Sequence, residues 1–178
     1  MFGLTPLGLF HTLISLVAVI AGVVSFFRSG RISPDDKLGK MYAVFTVASC
    51  VTALGIYHHG GFGPPHAVAI LTLLVLAIVA AARRYAPLGR GTRYVETLGY
   101  SATFLFHLIP AVTETATRLP PGDPLVADAN APALKIVYLV LFVLFLVGAT
   151  LQTVALRRRT VTDLRPMTLH KHALTRRW

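Results

Sequence analysis

The 178 residues are enough for one domain, and their composition excludes an ordinary soluble one. Hydrophobic residues make up 54% of the chain, charged residues make up only 13%, and the mean hydropathy is +0.66. The net charge of +10 comes from short basic stretches between long apolar runs. That pattern is typical of a multi-pass membrane protein and argues against nucleic acid as the partner.

Five apolar runs reach the roughly 17–25 residues that a membrane-spanning helix needs. In chain order they cover residues 5–27, 38–57, 66–82, 95–117 and 134–156. Stretches rich in Gly and Pro at 60–65 and 120–132 indicate turns between them. We therefore predict an all-α integral membrane bundle of five transmembrane helices in residues 1–156, followed by a basic cytoplasmic tail at 157–178.

The basic residues predict the orientation of this bundle in the membrane. Of the 17 Lys and Arg residues, only Arg118 and Lys135 fall on one side, which leaves 15 on the other side. The positive-inside rule then places the N-terminus outside and the C-terminus inside the cell. The basic tail is expected to rest on anionic lipids of the inner leaflet.

Five histidines gather in the outer half of the predicted bundle. His11 lies about 9 Å deep in the first helix and His107 about 15 Å deep in the fourth, at a rise of about 1.5 Å per residue. His58 and His59 close the second predicted helix, and His66 opens the third. Because an ionisable residue within the hydrocarbon layer indicates a functional site, we expect the histidines to meet in an outward-facing pocket.

The fourth helix carries a polar stripe that should face the bundle interior. At about 3.6 residues per turn, six polar residues share one face: Glu96, Tyr100, Thr103, His107, Glu114 and Arg118. The first helix offers a matching face of small residues, which includes Gly8, Ser15 and Gly22 and allows close packing. The fifth helix is almost wholly apolar and is expected to face lipid.

These residues suggest two kinds of bound cofactor. His11, His66, His107 and Glu114, with His58 at the rim, would make a shell suited to a divalent metal such as zinc. His11 and His107 alone would instead suit haem b, as a pair of axial ligands from different helices. Hydrogen bonds within the bundle, and a Glu114–Arg118 pair, would explain the same residues without a cofactor.

Three classes of function remain open on this basis. The first is binding of a metal ion or haem in support of a membrane redox or metal-handling process. The second is a non-catalytic accessory or assembly subunit of a larger membrane complex, or a homo-oligomer. The third is a small transporter coupled to protons or ions, which would use the stripe of the fourth helix. No nucleophile motif, phosphate loop or dinucleotide fingerprint assigns an enzymatic reaction.

Residues 37–84, which begin KLGKMYAVF, resemble the core of a family of small bacterial membrane proteins known only as a domain of unknown function. The resemblance rests on a basic helix start with Gly39 and Tyr42, on the pair formed by Pro65 and His66, and on His11 in an early helix. It implies a bacterial inner-membrane protein, and it implies no reaction.

Residues 101–122, SATFLFHLIPAVTETATRLPPG, likewise resemble a segment of bacterial relatives of this chain, and they carry His107 and Glu114. The chain departs from the family pattern at 35–37, where Asp-Asp-Lys stands in place of a histidine-arginine pair. The resemblance therefore gives added weight to the outer histidines, and it supports no inner-side histidine in this chain.

Overall fold

The computed structural model of the protein describes residues 5–57, 61–85 and 88–174, and over 159–174 it describes the backbone alone. Five α-helices follow one another: α1 (Pro6–Ser29), α2 (Lys37–Leu54), α3 (Pro64–Tyr85), α4 (Thr92–Arg118) and α5 (Pro132–Leu174). A short 3₁₀ turn, Gly89–Gly91, precedes α4. The described residues contain no strand, so the predicted all-α fold is confirmed.

Local sequence signals account for the helix boundaries. The Thr5 hydroxyl accepts a hydrogen bond from the Gly8 N–H at 3.1 Å, and Pro6 occupies the first helical position of α1. Gly30 ends α1 in the left-handed conformation, with φ at 70°. The Asp36 carboxylate starts α2 by accepting the Gly39 N–H at 2.8 Å. Caps of this kind satisfy backbone groups that would otherwise lack partners.

The end of α2 differs from the prediction. The helix stops at Leu54 and not at residue 57, so the expectation that His58 and His59 close it is wrong. Gly55 follows Leu54, and glycine favours helix termination because it has low helix propensity. Tyr57 leaves the helix and stacks near His66, with ring centroids 4.9 Å apart. His58 and His59 themselves lie outside the described residues.

The first four helices form a closed bundle. Each packs on the next along the chain, and α4 returns to contact α1. The core includes Ala18, Tyr42, Val79 and Tyr100. Gly22 allows α1 to approach α4 closely, because a Cβ at this position would lie 2.7 Å from the Phe104 ring. The predicted small-residue face of α1 therefore packs inside the bundle.

The fifth helix lies outside this bundle. Within the described residues α5 packs on α4 and on no other helix. Only 6% of its most apolar window is buried, against 28% for α1 and 33% for α3. This exposure agrees with the expectation that α5 faces lipid. The helix continues unbroken from Pro132 to Leu174, so the predicted boundary at residue 156 is not a break in secondary structure.

Among the described residues, three helices are long and apolar enough to cross a membrane. They are α1, α3 and the segment Pro132–Arg158 of α5. The chain therefore has the character of a membrane protein. The other two helices, α2 and α4, are less apolar, since each carries polar residues such as Thr46 and Glu96 that the bundle buries.

Candidate functional site

The polar stripe of α4 enters the bundle over most of its length. Glu96, Tyr100, Thr103 and His107 are all buried, which confirms the predicted inward face. Glu114 departs from it: 56% of its side chain is exposed, and it forms an i,i+4 salt bridge with Arg118. The stripe is therefore an interior feature from the start of α4 to His107, and its last part lies at the protein surface.

His11 joins α1 to α2 through hydrogen bonds. Its Nδ1 lies 3.0 Å from the Ser49 carbonyl oxygen and 3.0 Å from the Thr52 hydroxyl. Because a carbonyl can only accept, these partners assign the ring hydrogen to Nδ1. Nε2 of the neutral ring is then a lone pair, and it faces the Ser15 hydroxyl at 3.5 Å. The hydroxyls of Ser15 and Ser49 lie 2.6 Å apart.

Tyr42 and His107 form a second polar group closer to the middle of the bundle. The Tyr42 hydroxyl lies 2.9 Å from the Thr103 hydroxyl, and the Tyr42 ring centroid lies 6.1 Å from that of His107. Nδ1 of His107 donates to the Thr103 carbonyl at 3.3 Å. Its Nε2 is buried and has no hydrogen-bond partner in the part of the chain that the structure describes. His107, like His11, thus presents an unprotonated nitrogen.

An ion network closes the opposite end of the bundle, where α1 and α3 end and α2 and α4 begin. Arg83 donates to the Glu96 carboxylate and, at 2.7 Å, to the Asp35 carboxylate. The hydrogen bond from Arg83 is the main reason why the pKa of Asp35 lies below its ordinary value. Glu96 is buried, whereas 70% of the Asp35 side chain is exposed. The network therefore reaches from the bundle interior to the surface.

These polar side chains share the interior of the bundle, and we call them the polar file. Their hydrogen bonds form three groups: Asp35–Arg83–Glu96, Tyr42–Thr103–His107 and Ser49–Ser15–His11–Thr52. From the basic end outward the polar file contains Asp35, Arg83, Glu96, Tyr100, Tyr42, Thr103, His107, Ser49, Ser15, His11 and Thr52. The Tyr42 ring centroid lies 6.0 Å from that of Tyr100 and 6.1 Å from that of His107.

His66 belongs to a different environment. Its Nδ1 accepts the Gly63 N–H at 3.2 Å, and its ring stacks on Phe62 with centroids 5.2 Å apart. The side chain is 5% exposed. These contacts hold the ring over the start of α3, and they fix the loop before this helix. Nδ1 of His66 is therefore engaged locally, whereas its Nε2, like that of His107, is buried without a hydrogen-bond partner in the described part of the chain.

The predicted ligands come together only in part. Within the described residues, no group of three or more His, Cys, Asp or Glu side chains could hold a metal ion. His11 and His107 both belong to the polar file, whereas His66 and Glu114 have other partners. His58 lies outside the described residues. The metal or haem site remains a prediction, and two of its five residues share one interior.

Sequence reasoning did not single out the polar residues of α2. Tyr42, Thr46, Ser49 and Cys50 are all buried, and Thr52 contacts His11. Their spacing of three and four residues marks one face of a helix, so the signal was present. It is weak because Thr, Ser and Cys carry little polarity and fit an apolar span.

Comparison of the chain with protein-family models, with curated proteins and with solved structures finds no match. The resemblance to small bacterial membrane proteins therefore stays a prediction. What the site can do follows from its own residues.

Proposed function

We propose that the chain is a multi-pass protein of the bacterial inner membrane with five spanning helices, its N-terminus outside and its C-terminus inside. Packing supports the inclusion of α2 and α4, because both lie side by side with α1 and α3. Their low apolar content has a simple cause, since buried positions such as Thr46 and Glu96 face protein and not lipid. The excess of Lys and Arg at one end supports the orientation.

We propose further that this protein transfers protons along the polar file. The observation that supports this most is the burial of ionisable residues, His107 and Glu96, in one interior with hydroxyl groups between them. Ionisable groups inside a membrane are costly, and chains of Asp, Glu and His are the usual proton relays of pumps and transporters.

The side chains of the polar file have the chemistry that proton transfer needs. The neutral rings of His11 and His107 each offer a bare Nε2 that can take up a proton. Hydroxyl groups both donate and accept, so Ser15, Ser49 and Tyr42 can pass a proton from one neighbour to the next. At the basic end, Glu96 is the acceptor and the Arg83 guanidinium stabilises its charge.

Binding of a metal ion or haem b is the second candidate, and one observation favours it. Nε2 of His107 is buried without a hydrogen-bond partner among the described residues, and a bound metal ion would supply the missing partner. His11 and His107 would be the residues that hold the group, and haem would supply one-electron chemistry. A four-ligand zinc site has less support, because the described residues offer no group of three ligands.

Proton flux into liposomes tests the first proposal. With a pH-sensitive dye inside and an imposed potential, the parent protein should acidify the lumen. Replacement His107→Gln keeps a polar side chain of similar size and removes the proton-carrying ring, so the flux should fall about 100-fold, the lower end of what a positioned proton-transfer group contributes.

The matched control is His66→Gln, which makes the same change at a buried histidine outside the polar file. It should leave the flux unchanged. Equal flux from the parent and His107→Gln proteins would disprove the relay. If the same preparation shows a Soret band or stoichiometric metal that His107→Gln removes, the second candidate is correct.

A further inference from the structure

A lateral groove opens between α1 and α5. Both helices pack on α4, but within the described residues they do not pack on each other. The space between them is a cavity of about 600 Å³ whose floor is α4. Phe26 lines it from α1, Leu105 and Leu108 line it from α4, and Leu144 and Gly148 line it from α5. Its volume is within the roughly 300–1,000 Å³ of ligand sites.

The groove has a polar end and an apolar end. Gln152 closes the polar end, since it accepts the Ser101 hydroxyl at 2.8 Å and donates to the Gly30 carbonyl at 2.8 Å. From Leu156 to Leu141 the lining of α5 extends about 22 Å at the helical rise. This length exceeds half of the roughly 30 Å hydrocarbon layer. A chain-like apolar molecule with a polar head fits such a shape.

The charge at the polar end selects the kind of head. Arg31 lines the groove there, directly after the end of α1. In the part of the chain that the structure describes, no carboxylate forms a salt bridge with Arg31, although the Arg31 charge acts on Asp35. Asp35 is engaged by Arg83. A guanidinium beside an apolar channel is suited to a phosphate group.

We propose that this groove binds one phospholipid with an anionic headgroup, whose acyl chain lies against α4 and whose phosphate meets Arg31. The polar groups next to Arg31 are already hydrogen-bonded to one another through Gln152, so the cation is the recognition element. His107 does not line the groove, and the site does not depend on proton transfer.

Native mass spectrometry of the full-length protein in detergent tests the proposal. The protein is titrated with phosphatidylglycerol or with phosphatidylcholine of the same acyl chains, and the occupancy of the first bound lipid is measured. Gly148→Phe fills the groove, and it should fold because a Cβ at this position meets nothing within 4 Å. It should abolish the first binding step for both lipids.

Arg31→Gln should weaken phosphatidylglycerol binding more than phosphatidylcholine binding, because the choline cation offsets the phosphate charge. The preference for phosphatidylglycerol should fall about fivefold, the factor that one basic residue supplies at an anionic surface. Two controls keep the comparison matched. Val147→Phe adds a ring on α5 beside the groove, and Arg157→Gln removes a cation near the basic end; neither residue lines the groove. Both should bind lipid as the parent does.

Two results would overturn the proposal. First-step binding by Gly148→Phe at the parent level would show that the lipid lies elsewhere. An unchanged preference in Arg31→Gln, or an equal loss in Arg157→Gln, would show that general basic charge attracts the anionic lipid and that Arg31 does not recognise it.

Discussion

The four-helix bundle and α5 solve the problem of a membrane environment in opposite ways. Helices α1 to α4 bury polar residues such as Ser25, Thr46 and Thr103 against one another. Over its segment Pro132–Arg158, helix α5 presents apolar side chains almost all round, and among the described helices it packs on α4 alone. Both arrangements leave apolar groups outside, and only the bundle has a polar interior.

This difference separates helices that need neighbours from a helix that is stable in lipid by itself. A helix that is apolar on every side needs no partner to be stable in lipid. A helix with a polar stripe, such as α4, needs neighbours that cover it. Helix α5 can therefore change with little effect on the interior, whereas α1 to α4 depend on one another.

Glycine substitutions provide the largest contrast between the two regions. A Cβ at Gly39 would collide with the Ser33 backbone carbonyl, whereas a Cβ at Gly148 meets nothing within 4 Å. Gly39→Ala should reduce the free energy of unfolding by about 3 kcal/mol. Gly148→Ala should raise it by up to about 1 kcal/mol through better helix propensity.

Unfolding in mixed micelles with increasing dodecyl sulfate, followed by circular dichroism, measures both glycine variants. Equal losses of stability would contradict the division between a tightly packed bundle and a loosely attached α5.

Hydrogen bonds between helices should show a smaller contrast. Tyr42 and Thr103 lie fully buried inside the bundle, and Thr113 and Tyr138 join α4 to α5 in a partly buried position. A double-mutant cycle with Tyr42→Phe and Thr103→Val should give a coupling free energy of about 1 kcal/mol.

The corresponding cycle with Tyr138→Phe and Thr113→Val should give about 0.5 kcal/mol, because water and lipid headgroups compete at the more exposed pair. A larger coupling at the α5 pair would show that α5 is held as firmly as the bundle helices.

The smallest effect is expected at the exposed end of the ion network. The pKa of Asp35 is lower in the folded protein than its ordinary value of 3.8, so its contribution to stability is complete above that value. The contribution is lost as the pH falls through the lowered pKa. Because the side chain is 70% exposed, Asp35→Asn should cost less than about 1 kcal/mol at neutral pH.

Unfolding of the parent and Asp35→Asn proteins at pH 7 and pH 3 measures this contribution. The difference between them should shrink in acid, and a difference that grows in acid would contradict the assigned ion pair.

Much of the fold could be predicted from the sequence because membrane helices leave a strong signal. Length and apolar content predicted the five helices, of which three in the described residues are apolar enough to span a membrane. The spacing of Glu96, Tyr100, Thr103 and His107 predicted the buried face of α4. The proline pair before His66 predicted the start of α3. These features depend on local sequence alone.

The candidate site was harder to predict because it depends on which helices face one another. Depth along a helix placed His66 near His11, but the loop contacts of His66 with Gly63 and Phe62 engage it locally. The partners of His11 lie on α2, at Ser49 and Thr52. Such small polar residues carry no distinctive signal until the neighbouring helix is known.

Helix α4 is shared by the two sites proposed for this protein. Its buried face carries His107, and its other side, through Ser101 and Leu105, forms the floor of the groove. A lipid that enters or leaves the groove therefore changes the support of the helix that positions the histidine. Under the two proposals together, membrane composition would tune proton transfer through this shared helix.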